Sequence, residues 1–206
     1  MKRYFFCFFC LLVSAFADEN GRPATLKPEQ LRSFFLLPME RQILLRQALE
    51  LSQPPRWLKY VEGGADPAAG GFDCSGAMVF VMKSAKLDPP RTSQDQWDWL
   101  KREGRLNLVS NSVKTLDDPC FSKLRPGDLL FWAIGDRVHH VAMFLGNEAG
   151  DNHAVALHST DGRSYRGVKA NGYGVFDLKV PSEKSESKLV GYGTPPGLSL
   201  MAEKLP

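Results

Sequence analysis

One stretch, Phe72-Asp73-Cys74-Ser75-Gly76-Ala77-Met78-Val79-Phe80-Val81, constrains this chain more than any other. Gly63-Gly64 and Gly70-Gly71 lead into it, Asp73 can cap a helix, and Cys74 then falls in the first turn of an apolar helix. Amide N–H groups at a helix start lack partners within the helix and form the positive end of its dipole. A thiolate at Cys74 is therefore favoured over a thiol. Ser75 and Gly76 are small enough to let a substrate backbone come close. A cysteine so placed is a candidate nucleophile, and the rest of the chain must supply a base for it.

The length of 206 residues suits one domain with added material, and 43% hydrophobic against 24% charged residues is an ordinary globular balance, so a proper core is expected. Residues 1–17 read as a secretory signal peptide. Lys2 and Arg3 form the positive start, Phe5 to Val13 a short apolar run, and Ala15-Phe16-Ala17 a small-x-small cleavage site. The run is too short to span a bilayer comfortably, so no stable membrane insertion is expected after cleavage. Loss of Lys2 and Arg3 takes the net charge from +3 to +1. A near-neutral chain without a basic run gives no support to nucleic-acid binding or to polybasic membrane attachment.

Cys7 and Cys10 leave with the leader, so Cys74 and Cys120 remain. In an oxidising compartment those two could form a disulfide, which is the structural alternative for Cys74. Cys120 lies in the loop-like Asp117-Asp118-Pro119-Cys120 and is read as free or inert.

Residues 18–55 read as a helical extension packed on the main body. A short helix is expected around Glu29–Leu37. A longer one opens at Pro38-Met39-Glu40 with a stripe of Ile43, Leu44, Ala48 and Leu51, and Pro54-Pro55 stops it. The main domain is placed at 56–195 and a C-terminal tail at 196–206. The Cys74 helix should run to about Lys86, and a helix capped by Thr92 or Ser93 should carry Trp97, Trp99 and Leu100. Trp97 and Trp99 cannot both face a core from one helix, so one lines a groove or forms a half-buried rim. Arg91 and Gln96, near the start of that helix, could reach substrate, although exposed polar groups at such positions are more often simply solvated. Beyond this point the period becomes that of strands, at Leu129–Ile134, His139–Leu145 and Ala154–Ser159. Weaker strands are expected near Val168, Val175–Leu178 and Leu189–Tyr192. Helices first and antiparallel strands afterwards define an α+β fold.

A cysteine nucleophile needs a base, and the base a third group that fixes its tautomer. The candidates are His139, His140, His153 and His158. His139 and His140 alternate faces in a strand, so only one can meet Cys74, and spacing alone does not choose. A zinc site from His139, His140, Asp151, His153 or His158 lacks tight ligand spacing, so no metal and no cofactor are expected.

Five blocks follow one another in order: Tyr60-Val61-Glu62-Gly63-Gly64, Phe72-Asp73-Cys74-Ser75-Gly76, Leu124-Arg125-Pro126-Gly127-Asp128-Leu129-Leu130-Phe131-Trp132, His140-Val141-Ala142-Met143-Phe144-Leu145-Gly146 and Leu157-His158-Ser159. Together they resemble the signature of the NlpC family of papain-like bacterial cell-wall cysteine peptidases. That resemblance implies a nucleophile helix packed on an antiparallel sheet. It also implies cleavage of peptidoglycan stem peptides at the γ-D-glutamyl–diaminopimelate bond by an exported enzyme of the periplasm or cell envelope. Carried over by position, Cys74 is the nucleophile, His140 the base and His158 its orienter. Tyr60 assists the oxyanion, and Asp73 and Ser75 contact the stem peptide. Ala142 stands where glycine is usual and Glu62 where an aromatic residue is common. The interval from His140 to His158 is long, which keeps His153 as a rival orienter. A non-catalytic wall-binding protein, or an amidase or acyltransferase on the same scaffold, are the alternative functions.

Overall fold

The computed structural model describes residues 21–200; the expected signal peptide at 1–17 lies outside the described residues, as do the last six residues of the tail. Three helices, α1 (Met39–Leu51), α2 (Cys74–Ser84) and α3 (Ser93–Arg102), precede most of the strands. The main sheet comprises β4 (Leu106–Leu108), β5 (Leu129–Ile134), β6 (Arg137–Asn147), β7 (Ala154–Tyr165), β8 (Val168–Asp177) and β9 (Lys188–Gly193). Its spatial order is β4-β9-β5-β6-β7-β8, with every neighbour antiparallel. Three two-residue strands, β1 (Lys59–Tyr60), β2 (Ala65–Asp66) and β3 (Gly71–Phe72), make a small second sheet. The fold is the expected α+β one, with the Cys74 helix α2 laid on an antiparallel sheet. Among the described residues no helix is long and apolar enough to cross a membrane.

The alternation of strand side chains builds a core on each face of the main sheet. On one face Leu129, Phe131, Val141, Met143, Leu157 and Val175 pack with Ala77, Met78 and Val81 of α2 and Leu44, Leu45 and Ala48 of α1. On the other, Leu130, Trp132, Ala142, Ala156 and Tyr192 pack with Val109, Val113 and Phe121 of the β4–β5 connection. Trp97 meets Phe131 edge to face at 5.5 Å, and both Trp97 and Trp99 are half-buried against the helix-side core. The expected helix at Glu29–Leu37 is instead two 3-10 turns, Pro28–Gln30 and Phe34–Leu36, split by an extended Leu31 and a left-handed Ser33. The two weak strand signals at Val168 and Val175–Leu178 are one continuous strand, β8.

The segment before α2 is fastened by charge as well as by apolar packing. Arg41 of α1 is fully buried, and its terminal nitrogens donate to Asp128 Oδ1 (3.0 Å), Pro126 O (2.6 Å), Thr194 Oγ1 (3.3 Å) and Ser199 O (2.9 Å). Asp128, in the Arg125-Pro126-Gly127-Asp128 turn, also accepts from the Arg125 amide and from Thr194. Burial raises the Asp128 carboxyl while Arg41 and Thr194 oppose the rise.

Candidate active site

Asp73 caps α2 as its sequence position predicts: Oδ1 accepts from the Gly76 amide at 2.6 Å. The small residues that follow have a different use from the expected one. A Cβ on Gly76 would meet Gly64 O at 2.0 Å, so the chain's own backbone fills the space that a substrate was expected to use. Ser75 is buried, with its hydroxyl donating to Asp73 Oδ1 at 3.2 Å. Arg91 spans the cluster, donating to both carboxylate oxygens of Asp73, to Ser75 Oγ and to the carbonyls of Gly63 and Gly64. Burial works to raise Asp73, but hydrogen bonds from Arg91, the Gly76 amide and Ser75 outweigh it and hold the carboxyl below its ordinary value. Arg91 and Gln96 are thus not merely solvated. Gln96 is fully buried, and its amide donates to Ser75 O and Pro90 O, which ties α3 to the start of α2.

Cys74 meets β6 at an irregularity. The β5–β6 register passes from Trp132↔His140 to Ala133↔Val138, which leaves His139 as an extra residue on β6. The pairing of β6 with β7 runs from Met143↔Leu157 to Asn147↔Ala154. On the stretch before Met143, the Cys74 sulfur lies 3.8 Å from His139 O and receives the Val141 N–H, and so sits against the backbone on either side of His140. Cys74 is 7% exposed. Burial pushes its thiol above the ordinary range and the neighbouring Asp73 charge adds to that. The amides of Val141, Ser75 and Cys74 only partly offset the rise. The thiolate expected from the helix terminus is therefore outweighed by desolvation.

The bulge also separates the two adjacent histidines. His139 is exposed, with Nε2 2.9 Å from Ser187 Oγ. His140 is buried, and its Nε2 lies 2.7 Å from Nδ1 of the buried His158. Burial lowers His140 to about 3, with the positive charge of Arg163 adding to it, and burial likewise lowers His158. Both rings are neutral near pH 7, so one donates and the other accepts the proton between them. Trp132 and Phe176 flank the pair, with ring centroids 5.5 Å from His140 and 4.8 Å from His158 respectively. His153 lies elsewhere, bonded to Asp177 Oδ1 at 2.8 Å. The His140 partner is thus His158 and not His153.

A groove of about 720 Å³ opens over Cys74, bordered by Tyr60, Glu62, Asp73, Arg91, Arg137 and His139. Tyr60 donates its hydroxyl to Glu62 Oε2 at 2.7 Å, and burial followed by that bond raises its phenol well above the ordinary value. The Glu62 carboxylate therefore engages the Tyr60 hydroxyl. Cys74 and Cys120 are both free thiols. They belong to the two apolar cores on opposite faces of the sheet, which removes the disulfide alternative. Burial, then Asp118, raises Cys120 to about 11, consistent with an inert thiol.

A cysteine at a helix start laid against a strand, with a buried histidine pair behind it, is a papain-like arrangement. The NlpC/P60 family model matches residues 57–174, and the chain belongs to that family. Over 121 residues it is 30% identical to the probable endopeptidase p60 of Listeria monocytogenes, a match covering 57% of this chain and 19% of that protein. Over 109 residues it is 28% identical to the bifunctional muramidase/DL-endopeptidase CwlT of Bacillus subtilis, covering 52% and 27%. The chain thus spans well under a third of the length of either relative. A solved NLP/P60-family structure from Staphylococcus aureus, described as similar to lipoprotein, is 25% identical with a TM-score of 0.44, covering 76% of this chain and 41% of that one.

Proposed function

We propose that this protein is an exported cysteine endopeptidase that hydrolyses peptidoglycan stem peptides at the γ-D-glutamyl–diaminopimelate bond. The observation that carries the reading is the juxtaposition at β6. The Cys74 sulfur rests on the backbone flanking His140, whose ring is held by His158 at 2.7 Å. The bond to His158 uses Nε2 of His140, so in this reading Nδ1 is the nitrogen that takes the sulfur's proton. Burial favours the neutral thiol and the neutral imidazole, so in this reading proton transfer accompanies attack rather than preceding it.

In this mechanism the Cys74 sulfur bonds to the scissile carbonyl carbon while its proton passes to His140. The oxyanion is met by the Cys74 amide and by the Tyr60 hydroxyl, once that hydroxyl turns from Glu62. Collapse breaks the C–N bond, and His140 returns the proton to the leaving amine. A water deprotonated by His140 then releases the acyl group from sulfur. Asp73 and Ser75, fixed by Arg91, form the floor on which the stem peptide lies. The names of the two relatives, an endopeptidase and a DL-endopeptidase, support this reaction class.

Digestion of defined muropeptides by the wild type and by Cys74→Ala, with products identified by mass spectrometry, tests the reading. Loss of cleavage by at least about 10⁴-fold is expected in the variant. Equal cleavage by both proteins would end it. Release of product only from sugar-bearing substrates would favour an amidase instead.

A further inference from the structure

A second cavity, of about 400 Å³, shares no residue with the Cys74 groove. Leu124, Pro126 and Phe144 give it an apolar surface, and Leu124 and Phe144 belong to the core on the sheet face turned away from α2. Three separate stretches bring polar groups to it: Arg32 ahead of α1, Arg125 in the turn before β5, and Asn152 between β6 and β7. Two cations border this cavity and no carboxylate does, and neither arginine has an acidic partner among the described residues. The Arg32 amide donates to Asn147 O at 2.7 Å, and its Nη1 donates to Asn152 Oδ1 at 2.9 Å. The Asn147 side-chain amide donates to that same Oδ1 at 2.9 Å. Two donors converging there make it the oxygen, so the other end of Asn152 is an NH2 group, unbonded among the described residues. Arg125 is braced by its own turn, with Nη1 donating to Ser122 O at 2.8 Å and Leu124 O at 2.9 Å. Its Nε is buried without an acceptor, and its Nη2 is neither bonded nor enclosed. In the adjoining cavity, by contrast, Asp151 is paired with Arg166, and His153 and Lys179 with Asp177. A wall that has used its Asn152 oxygen twice, and still holds unbonded N–H groups on two cations, is matched to an anion.

We propose that this cavity binds a phosphate ester, its phosphate held by Arg32, Arg125 and the Asn152 amide and its carbon-bearing part against Phe144 and Pro126. Donors that arrive from three stretches of chain suit a tetrahedral group with oxygens on several sides. A planar carboxylate, with two oxygens on one edge, is met by a single guanidinium. The volume falls in the range of small-molecule sites and leaves room for more than a bare ion. The proposal does not rest on the peptidase reading, because no residue at this cavity takes part in the chemistry at Cys74. A phosphate ester can reach it as a soluble molecule or as the headgroup of an anionic lipid, and the choice of probes separates the two.

Calorimetric titration of the full chain with phenyl phosphate, phenol and inorganic phosphate tests the site, in the wild type, Arg32→Gln and Arg125→Gln. Saturable binding of phenyl phosphate is expected, at least about tenfold tighter than that of either fragment. Each substitution should weaken it by about tenfold or more. Arg125→Gln also gives up bonds to two carbonyls, so the exposed Arg32 carries the test if urea midpoints show that the Arg125 variant is poorly folded. No saturable binding by the wild type, or equal affinity in Arg32→Gln, would overturn the site. Inorganic phosphate binding as tightly as phenyl phosphate would overturn the part given to the apolar surface. Sedimentation with phosphatidylglycerol but not phosphatidylcholine vesicles, lost in Arg32→Gln and kept in Arg46→Gln, would assign the lipid headgroup as the source. Arg46 is exposed and lies outside the cavity, so it controls for unspecific charge. Phenyl phosphate binding without that sedimentation would assign a soluble ester.

Discussion

Arg41 and Arg163 are both arginines withdrawn from water, and they are treated in opposite ways. Arg41 is fully buried and meets four oxygens from three separated parts of the chain, with the Asp128 carboxylate among them. Arg163 is half-buried and has an aromatic face and nothing else among the described residues. A cation enclosed by acceptors is a structural joint, here fastening α1 to the β4–β9 side of the sheet. A cation without them, lying over Trp132, adds to the charge felt at the two buried imidazoles and fastens no segments together. The contrast separates charge that joins parts of the fold from charge that only biases its surroundings.

The largest effect should come from breaking the joint. Arg41→Met leaves Asp128 buried and unpaired, and unfolding by urea should show a loss of about 3–5 kcal/mol. A loss under about 1 kcal/mol would mean that the joint is no more than an ornament of the packing.

Next comes acid sensitivity. His140 is held at about 3 and His158 is also lowered, so between the ordinary histidine value near 6.5 and that depressed value the unfolded chain binds protons that the folded chain refuses. Their contribution is fully present above about pH 6.5 and drains away as pH falls toward 3, reaching on the order of a few kcal/mol. Urea midpoints at pH 7.5, 5.5 and 4.5 should fall, and in His158→Phe they should start lower but fall less steeply. An equal slope in both proteins would contradict the burial of a neutral pair.

Arg163→Met sharpens the comparison from its other side. With no partner to orphan, its stability change should stay within about 1 kcal/mol of the wild type in either direction, in contrast with Arg41→Met. A loss of Arg41 size would show that Arg163 is structural after all. The smallest effect is expected at Glu62→Gln. Stability should change by about 0.5 kcal/mol or less, while the Tyr60 phenol, released from a carboxylate acceptor, should titrate at lower pH in ultraviolet difference spectra. An unmoved tyrosine titration would argue against that hydrogen bond in solution.

Removing the residues before β1 would raise activity only if that segment shielded the groove. Ala24, Leu26, Phe34, Leu44 and Leu49 lie in the same core as Met78 and Val141, and none of the groove residues named above comes from this segment. A truncation to residue 53 would therefore strip the core and remove Arg41 rather than open a gate.

Much of the scaffold could be read in advance because its signals are local. Asp73 before an apolar run, Thr92 before the tryptophan helix, and the Gly135-Asp136 turn between two apolar strands each act within a few residues. β1 to β4 were not legible, since two- or three-residue strands are too short to show alternation and exist only because partners lie beside them. The same holds for Gln96 and Arg91. Nothing near them in the chain announces Ser75 or Asp73 as neighbours, 21 and 18 residues away.

Taken alone, the order of the residues fixed the helix start that carries Cys74, the run of antiparallel strands, and the set of histidines from which a base could come. Tertiary structure decided which histidine meets His158, because an extra residue on β6 turns His139 outward and His140 inward. It also decided the charge state of the site. A helix terminus favours a thiolate, but how much water the folded chain leaves around the sulfur is a property of distant segments closing over it, and that desolvation prevails.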